Sequence, residues 1–226
     1  MDATNMKRLA AEAAVRLIED GMVVGLGTGS TAYWAIHKIG EFVQGGLNVR
    51  AVATSESSES LAIRLGIPIV RLDDVERIDM TIDGADEIDP DLSLIKGGGG
   101  ALLREKIVAA ASRTFVVVAD ESKLVRRLGA FPLPVEIVPF GTRQTIAKLE
   151  SLGCAAAVRL ADGREFETDN GHWIADCRFG TIERPDELHR AINGIPGVVD
   201  NGLFLSMAHR VIIGRRDGSC KTMDRA

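Results

Sequence analysis

Short apolar runs alternate along the chain with stretches whose apolar residues recur at helical spacing, a pattern that predicts strands and helices in turn. Met6, Ala10, Ala13 and Leu17 predict an amphipathic helix within 1–21, with Gly21 as its stop. Met22–Leu26 predicts a strand, and a helix pattern begins near Ala32. Arg50–Ala53 predicts the next strand, and Leu61, Ala62 and Leu65 open a helix that Gly66 ends. Ile67-Pro68-Ile69-Val70 reads as an edge strand because of its proline. Met80–Ile82 and Leu94–Ile95 are further apolar runs, and a helical pattern follows Gly100. Thr114–Ala119 is apolar almost throughout and predicts a strand buried on both faces.

The composition changes at Phe131-Pro132-Leu133-Pro134, a natural boundary. Beyond it the pattern predicts a helix over 142–152 stopped by Gly153, and strands over 155–160 and 173–177. A helix over 185–192 has proline in its first turn, and strands over 198–205 and 208–214 follow. The reading is a mainly parallel α/β domain from 1–130 and 206–226, with a smaller α+β domain over 131–205.

Composition narrows the classes of function. A chain of 226 residues, 46% apolar and 26% charged, is long enough for one large domain with a smaller one and has an ordinary globular balance. A net charge of −5 argues against nucleic acid or an anionic membrane surface as the main partner, so any anion site is local. Cys154, Cys177 and Cys220 form neither a disulfide framework nor a zinc spacing, which fits a reducing compartment. His37, His172, His189 and His209 have no ligand spacing, so no metal site is expected. No apolar run reaches transmembrane length and the first helix is not a signal peptide, so a cytoplasmic protein is expected.

Several loops carry candidate chemistry. Gly27-Thr28-Gly29-Ser30-Thr31 lies between a strand and a helix, the arrangement that cradles phosphate on amides and hydroxyls. Ser30 stands at the third glycine position of a dinucleotide fingerprint, so a terminal phosphate on a small molecule suits the loop better; a tight turn with no ligand is the plain alternative. In Asp83-Gly84-Ala85-Asp86-Glu87-Ile88-Asp89 the acidic spacing is not that of a calcium loop. Asp83 at a strand end, before the sharp turn Gly84 permits, reads as a presented carboxylate rather than a solvated one.

Lys96 precedes Gly97-Gly98-Gly99-Gly100, an entropically costly run unless backbone must approach something or amides must face an oxyanion; a flexible linker is the alternative. The helix pattern after it carries Arg104-Glu105-Lys106 among apolar residues. Ala101, Leu102, Val108 and Ala109 at the neighbouring helical positions offer Glu105 no local ion pair. The pattern alone does not choose among the three; chemistry does, since only Glu105 suits a base acting on carbon, and an apolar setting would raise its pKa toward the operating pH. Thr28–Thr31, Ser55, Asp83, Lys96 and Lys123 each follow a strand candidate. In parallel α/β sheets ligands bind at that edge.

The motifs 25–31, 83–87 and 96–106, with 132–136, Thr168-Asp169-Asn170-Gly171 and 195–199, resemble type A ribose-5-phosphate isomerase in order and over nearly the whole chain. The resemblance implies a Rossmann-like domain with a smaller ferredoxin-like lid, in a homodimer or homotetramer. It implies cofactor-free interconversion of D-ribose 5-phosphate and D-ribulose 5-phosphate in the pentose phosphate pathway. By matching position it implies Glu105 as the proton acceptor. It implies substrate binding by Thr28, Gly29, Ser30, Thr31, Asp83, Gly84, Ala85, Asp86, Lys96, Gly97, Gly98, Gly99 and Lys123, and a phosphate contact from Lys7. His172 stands where the family commonly has Asn, and Ser58 where many members have Thr. On this reading Asp83 opens the sugar ring, Glu105 moves a proton from C2 to C1, and Lys96 with the amides of Gly97–Gly99 stabilises the enediolate. The competing readings are a non-catalytic sugar-phosphate sensor on the same fold, an acyl or CoA transferase and, weakest, a dinucleotide oxidoreductase.

Overall fold

The computed structural model describes residues 1–225. In chain order the strands begin with β1 (Val23–Leu26), β2 (Arg50–Ala53), β3 (Ile78–Asp83), β4 (Glu87–Ile88), β5 (Leu94–Ile95), β6 (Ser112–Asp120), β7 (Leu133–Ile137) and β8 (Ala155–Val158). They continue with β9 (Leu160–Ala161), β10 (Arg164–Glu165), β11 (Trp173–Arg178), β12 (Val198–Asn201), β13 (Leu203–Phe204), β14 (Arg210–Gly214) and β15 (Cys220–Asp224). The helices are α1 (Ala3–Val15), α2 (Ala32–Gln44), α3 (Glu56–Arg64), α4 (Leu102–Ala110), α5 (Thr142–Glu150) and α6 (Pro185–Asn193).

Two compact units emerge. The first takes Met1–Ala85, Arg104–Lys123 and the chain from Met207 onward. Its six-stranded sheet runs β15-β14-β6-β3-β1-β2, with every pair parallel except β14 and β15. The winding reverses between β1 and β3, as in doubly wound α/β sheets. Val24, Leu26, Ile82, Val116 and Val118 of the sheet pack with Ile36 and Ile39 of α2 and with the small residues Ala10, Ala11 and Ala14 of α1. β6 is buried from Phe115 to Asp120, as its unbroken apolar run predicts.

The second unit takes Asp86–Leu103 and Leu124–Ser206. Its four-stranded sheet has the order β12-β7-β11-β8 and is antiparallel throughout. With α5 after β7 and α6 after β11, it has the βαββαβ connectivity of a ferredoxin-like unit. Leu133, Val135, Ile137, Ala175 and Cys177 of the sheet pack with Leu149 of α5 and Ile192 of α6. Here the mainly parallel α/β expectation and the small α+β expectation both find their counterparts.

Several expectations need correction. The first helix ends at Val15 rather than near Gly21. The helix before Gly66 starts at Glu56, because Ser55 caps it by accepting from the Ser58 amide at 3.1 Å. The run 67–70 forms one bridge, Ile69 to Ala51, rather than an edge strand. Leu94–Ile95 does not join the parallel sheet; it pairs antiparallel with β4 and β13 in a separate three-stranded sheet. The strand predicted over 198–205 is two strands in two sheets, broken at Gly202. A Cβ there would lie 2.2 Å from the Lys96 carbonyl oxygen, while the Gly202 amide donates to Pro134 and its carbonyl accepts from Lys96. The strand predicted over 155–160 likewise breaks at Arg159, and β15 was not foreseen. Among the described residues no helix is long and apolar enough to cross a membrane.

Candidate active site

In the first unit the chain leaves β1 at Gly27 and enters α2 at Ala32, so residues 27–31 lie at the carboxyl edge of the sheet, where the strand order reverses. Asp83 is the last residue of neighbouring β3 and is 0% exposed. Its Oδ1 accepts from the Thr28 amide at 3.0 Å and from the Gly84 amide at 2.7 Å. These bonds tie the first loop to the acidic turn across the reversal point. Gly29 has φ +103°, a conformation that favours glycine, and it and Ser30 are exposed just before α2.

Lys7, from α1, donates through Nζ to Ser30 Oγ at 3.0 Å. A cation from one end of the chain thus meets the hydroxyl loop, a convergence that spacing alone did not reveal. The Thr28 hydroxyl is turned into its own surroundings: it donates to Ser55 Oγ and lies 2.8 Å from Thr54 Oγ1. Ser58 Oγ donates to the Gly27 carbonyl at 2.7 Å. Sequence reasoning placed Ser55 at this edge but missed Thr54 and Ser58 as braces; hydroxyls gathering directly after β2 were the available signal. Thr31 is buried beside Gly84. A pocket of ≈ 510 Å³ opens beside the loop, lined in part by Gly29, Ser30, Tyr33 and Ser57.

Glu105 lies on α4 and is 3% exposed. Its neighbours Arg104 and Lys106 are half-buried, so among the three charged residues Glu105 is the one that turns fully inward, the choice chemistry made where the pattern could not. Lys123 ends a one-turn 3-10 helix directly after β6, a turn that Asp120 caps by accepting from the Ser122 amide.

In the second unit Lys96 is 2% exposed, with its ammonium 5.4 Å from the centre of the Phe204 ring. It follows β5, so of the clusters expected at the parallel-sheet edge Lys96 alone follows a strand of another sheet. Asp86 accepts from the Gly98 amide at 2.8 Å. A Cβ at Gly98 would lie 2.6 Å from Asp86 Oδ1, and one at Gly100 would lie 2.3 Å from the Phe166 ring. The glycine run is therefore a packed segment rather than a linker. Arg159, which sequence reasoning missed, donates from Nη1 to the carbonyls of Gly97 and Gly98 at 2.9 and 3.0 Å.

His172 belongs to a buried cluster. Its Nδ1 lies 3.0 Å from Oε1 of the fully buried Glu136, which also accepts from Thr168 Oγ1 and Asn170 Nδ2. Among the described residues no group of three or more His, Cys, Asp or Glu side chains is arranged to hold a metal ion.

The sequence pattern of the family described as ribose 5-phosphate isomerase A (phosphoriboisomerase A) matches residues 50–218. The chain is 53% identical to the ribose-5-phosphate isomerase A of Bacillus mycoides strain KBAB4 over 215 residues, 95% of this chain and 97% of that protein. A solved structure of D-ribose-5-phosphate isomerase in complex with phospho-erythronic acid superimposes with TM-score 0.96, 42% identity and full coverage of both chains. Ribose 5-phosphate isomerase from Plasmodium falciparum superimposes with TM-score 0.95, 38% identity and 98% coverage of each chain.

Proposed function

The chain belongs to the ribose 5-phosphate isomerase A family, and we propose from that membership that it interconverts D-ribose 5-phosphate and D-ribulose 5-phosphate, an aldose–ketose isomerisation of the pentose phosphate pathway. The observation that carries the chemistry is the burial of Glu105 on α4. A carboxylate held out of water is suited to take a proton from carbon.

The roles follow from the chemistry of each group. Gly29, Ser30 and Thr31, at the start of α2, with Lys7 and Lys123, anchor the phosphate. Asp83, held by the amides of Thr28 and Gly84, exchanges the proton that opens the sugar ring. Glu105 removes the C2 proton and returns it to C1 while one proton passes from O2 to O1, so the two sugars balance atom for atom with no change in electron count and no hydride acceptor is needed. Lys96 and the amides of the glycine run stabilise the oxyanion that develops on the way. Thr28, Gly84, Ala85 and Asp86 complete the substrate contacts, and Asp86 also braces Gly98. Residues 1–130 and 206–226 make the catalytic domain and residues 131–205 the lid domain. The protein works in the cytoplasm as a homodimer or homotetramer.

Phospho-erythronic acid is the natural probe for this reading. Its carboxylate imitates the oxygens of the enediolate and its phosphate that of the sugar.

The test is isomerisation of ribose 5-phosphate in D2O by chelator-dialysed protein, followed by NMR. Ribulose 5-phosphate carrying solvent deuterium at C1 is the expected result. Binding without conversion would overturn the reading. Conversion without deuterium, retained in Glu105→Gln, would remove Glu105 from the base role.

A further inference from the structure

Arg159 occupies the single residue between β8 and β9. Its guanidinium makes two kinds of contact. Nε and Nη2 pair with both oxygens of Asp176, on β11, at 2.9 and 2.5 Å. Nη1 donates to two successive carbonyls, those of Gly97 and Gly98. The Phe166 ring lies 5.9 Å from the guanidinium carbon and also fills the space a side chain at Gly100 would need. Only 16% of the Arg159 side chain is exposed, so Asp176 and Phe166 fix the guanidinium before it meets the loop.

A trans peptide points its C=O and N–H in opposite directions. The described residues contain no cis peptide bond. The Gly97 carbonyl shares a peptide with the Gly98 N–H, and the Gly98 carbonyl shares one with the Gly99 N–H. Pulling both carbonyls toward Nη1 turns both N–H groups to the far side. The Gly98 N–H is found there, bonded to Asp86. Trans geometry, with the Gly98 carbonyl on Arg159, turns the Gly99 N–H away from the guanidinium. Four glycines in a row could sample many peptide orientations; the Gly100 amide closes a turn onto the Gly97 carbonyl at 3.0 Å, and the two bonds from Arg159 fix the Gly97 and Gly98 carbonyls together.

We infer that Arg159 is a positioning residue for the isomerisation: with Asp176 it sets the peptide planes of the glycine run, holding the Gly98 amide on Asp86 and orienting the Gly99 amide before substrate arrives. This rests on the isomerase reading above, in which the glycine run meets the developing oxyanion, here through the Gly99 amide. Preorganised donors act on the transition state more than on the bound substrate. Lysine does not replace arginine here, because one ammonium lacks the planar fork that joins a carboxylate to two carbonyls.

The test uses Arg159→Met, Arg159→Lys and Asp176→Asn in the full chain, beside the wild type. In both Arg159 variants kcat is expected to fall about 30- to 100-fold, with the KM for ribose 5-phosphate within about threefold of wild type. The inhibition constant of phospho-erythronic acid should rise in step with the loss of kcat/KM, a proportionality that loose folding alone does not produce. Asp176→Asn should lose about 3- to 10-fold in kcat with the same signature. Added guanidinium ion should restore part of the Arg159→Met rate. An Arg159→Met enzyme with wild-type kcat and inhibitor affinity, beside an active wild type, would overturn the inference alone. A wild type without turnover would overturn the isomerase reading and this inference with it. Should Arg159→Met not fold, Arg159→Lys and Asp176→Asn decide by the same comparison of kcat, KM and inhibitor affinity.

Discussion

Gly27 has no side chain because Asp83 occupies the place of one: a Cβ at Gly27 would lie 2.1 Å from Asp83 Oδ1 and 2.6 Å from the Asp83 Cα. The obstacle includes backbone, so no rotation of the Asp83 side chain relieves it. Gly27→Ala should push β1 and β3 apart at their carboxyl ends. The expected cost is about 1–3 kcal/mol of stability. Displacing Asp83 by even an ångström should lower kcat by about 100-fold. A thermal melt beside a steady-state assay checks both; an unchanged kcat would show that Asp83 tolerates displacement.

Glu105→Gln removes the base and keeps the shape. Turnover should fall by about 10³-fold, the range for loss of a general base on carbon. Phospho-erythronic acid should still bind, as calorimetry would show. Activity above a few per cent of wild type would assign the proton transfer to another group.

Lys7 and Ser30 contact each other at the exposed end of the first loop. Contacts to a remote phosphate hold substrate and transition state alike, so their loss appears mainly in KM. Lys7→Met and Ser30→Ala should each raise KM about tenfold, with the double variant short of the product of the two because the residues touch. A large kcat loss with unchanged KM would contradict the anchoring role.

Glu136 collects Thr168, Asn170 and His172 around one buried oxygen. Glu136→Leu would leave these donors without their acceptor, and the expected loss is about 3 kcal/mol in denaturant unfolding. His172→Asn keeps a donor at the half-exposed edge of the cluster and should cost less than about 1 kcal/mol. Equal losses in the two variants would show that the histidine ring, not the carboxylate, organises the cluster.

Burial raises the Asp89 carboxyl above its ordinary value, against the opposing pull of the Ser93 and Asp91 amides. The folded protein therefore holds that proton to higher pH than the unfolded chain does. Through this group stability falls as pH rises across the carboxylate range, and the penalty is complete at neutral pH. Asp89→Asn keeps the acceptor for both amides and removes the penalty. Because solvent reaches the group, the gain is small: the melting temperature should rise by about 1–2 °C at pH 7, with the two proteins converging near pH 3. A lower melting temperature at pH 7 would reverse the sign of the argument.

The sequence was most readable where burial and periodicity agree. The apolar run of β6 and the strand–loop–helix at 23–32 need only local pattern, and both are present. The inward choice of Glu105 over Arg104 and Lys106 followed from chemistry. The pattern failed where a distant segment decides. Leu94–Ile95 is two residues long, and its partners β4 and β13 define it more than its own residues do. The break at Gly202 depends on the Lys96 carbonyl, far back in the chain. Alternation along β7 sends Glu136 away from the apolar core, yet the Thr168–His172 loop covers it. Arg159 carried no local signal, since its loop partners lie 61 and 62 residues away.

The return of the chain to its first sheet has a consequence for synthesis. β6 pairs along one side with β3 and along the other with β14, and Phe115 meets His209 across 94 residues. At ribosomal speeds of roughly 5–20 residues per second, that partner emerges about 5 to 20 seconds after β6. Meanwhile the second unit is translated to completion, and β6 waits with one edge open along Val116, Val117, Val118 and Ala119, the sort of apolar edge on which nascent chains stick to one another. The yield of active protein should therefore depend on how fast residues 124–209 are translated and on what shields that edge until β14 arrives.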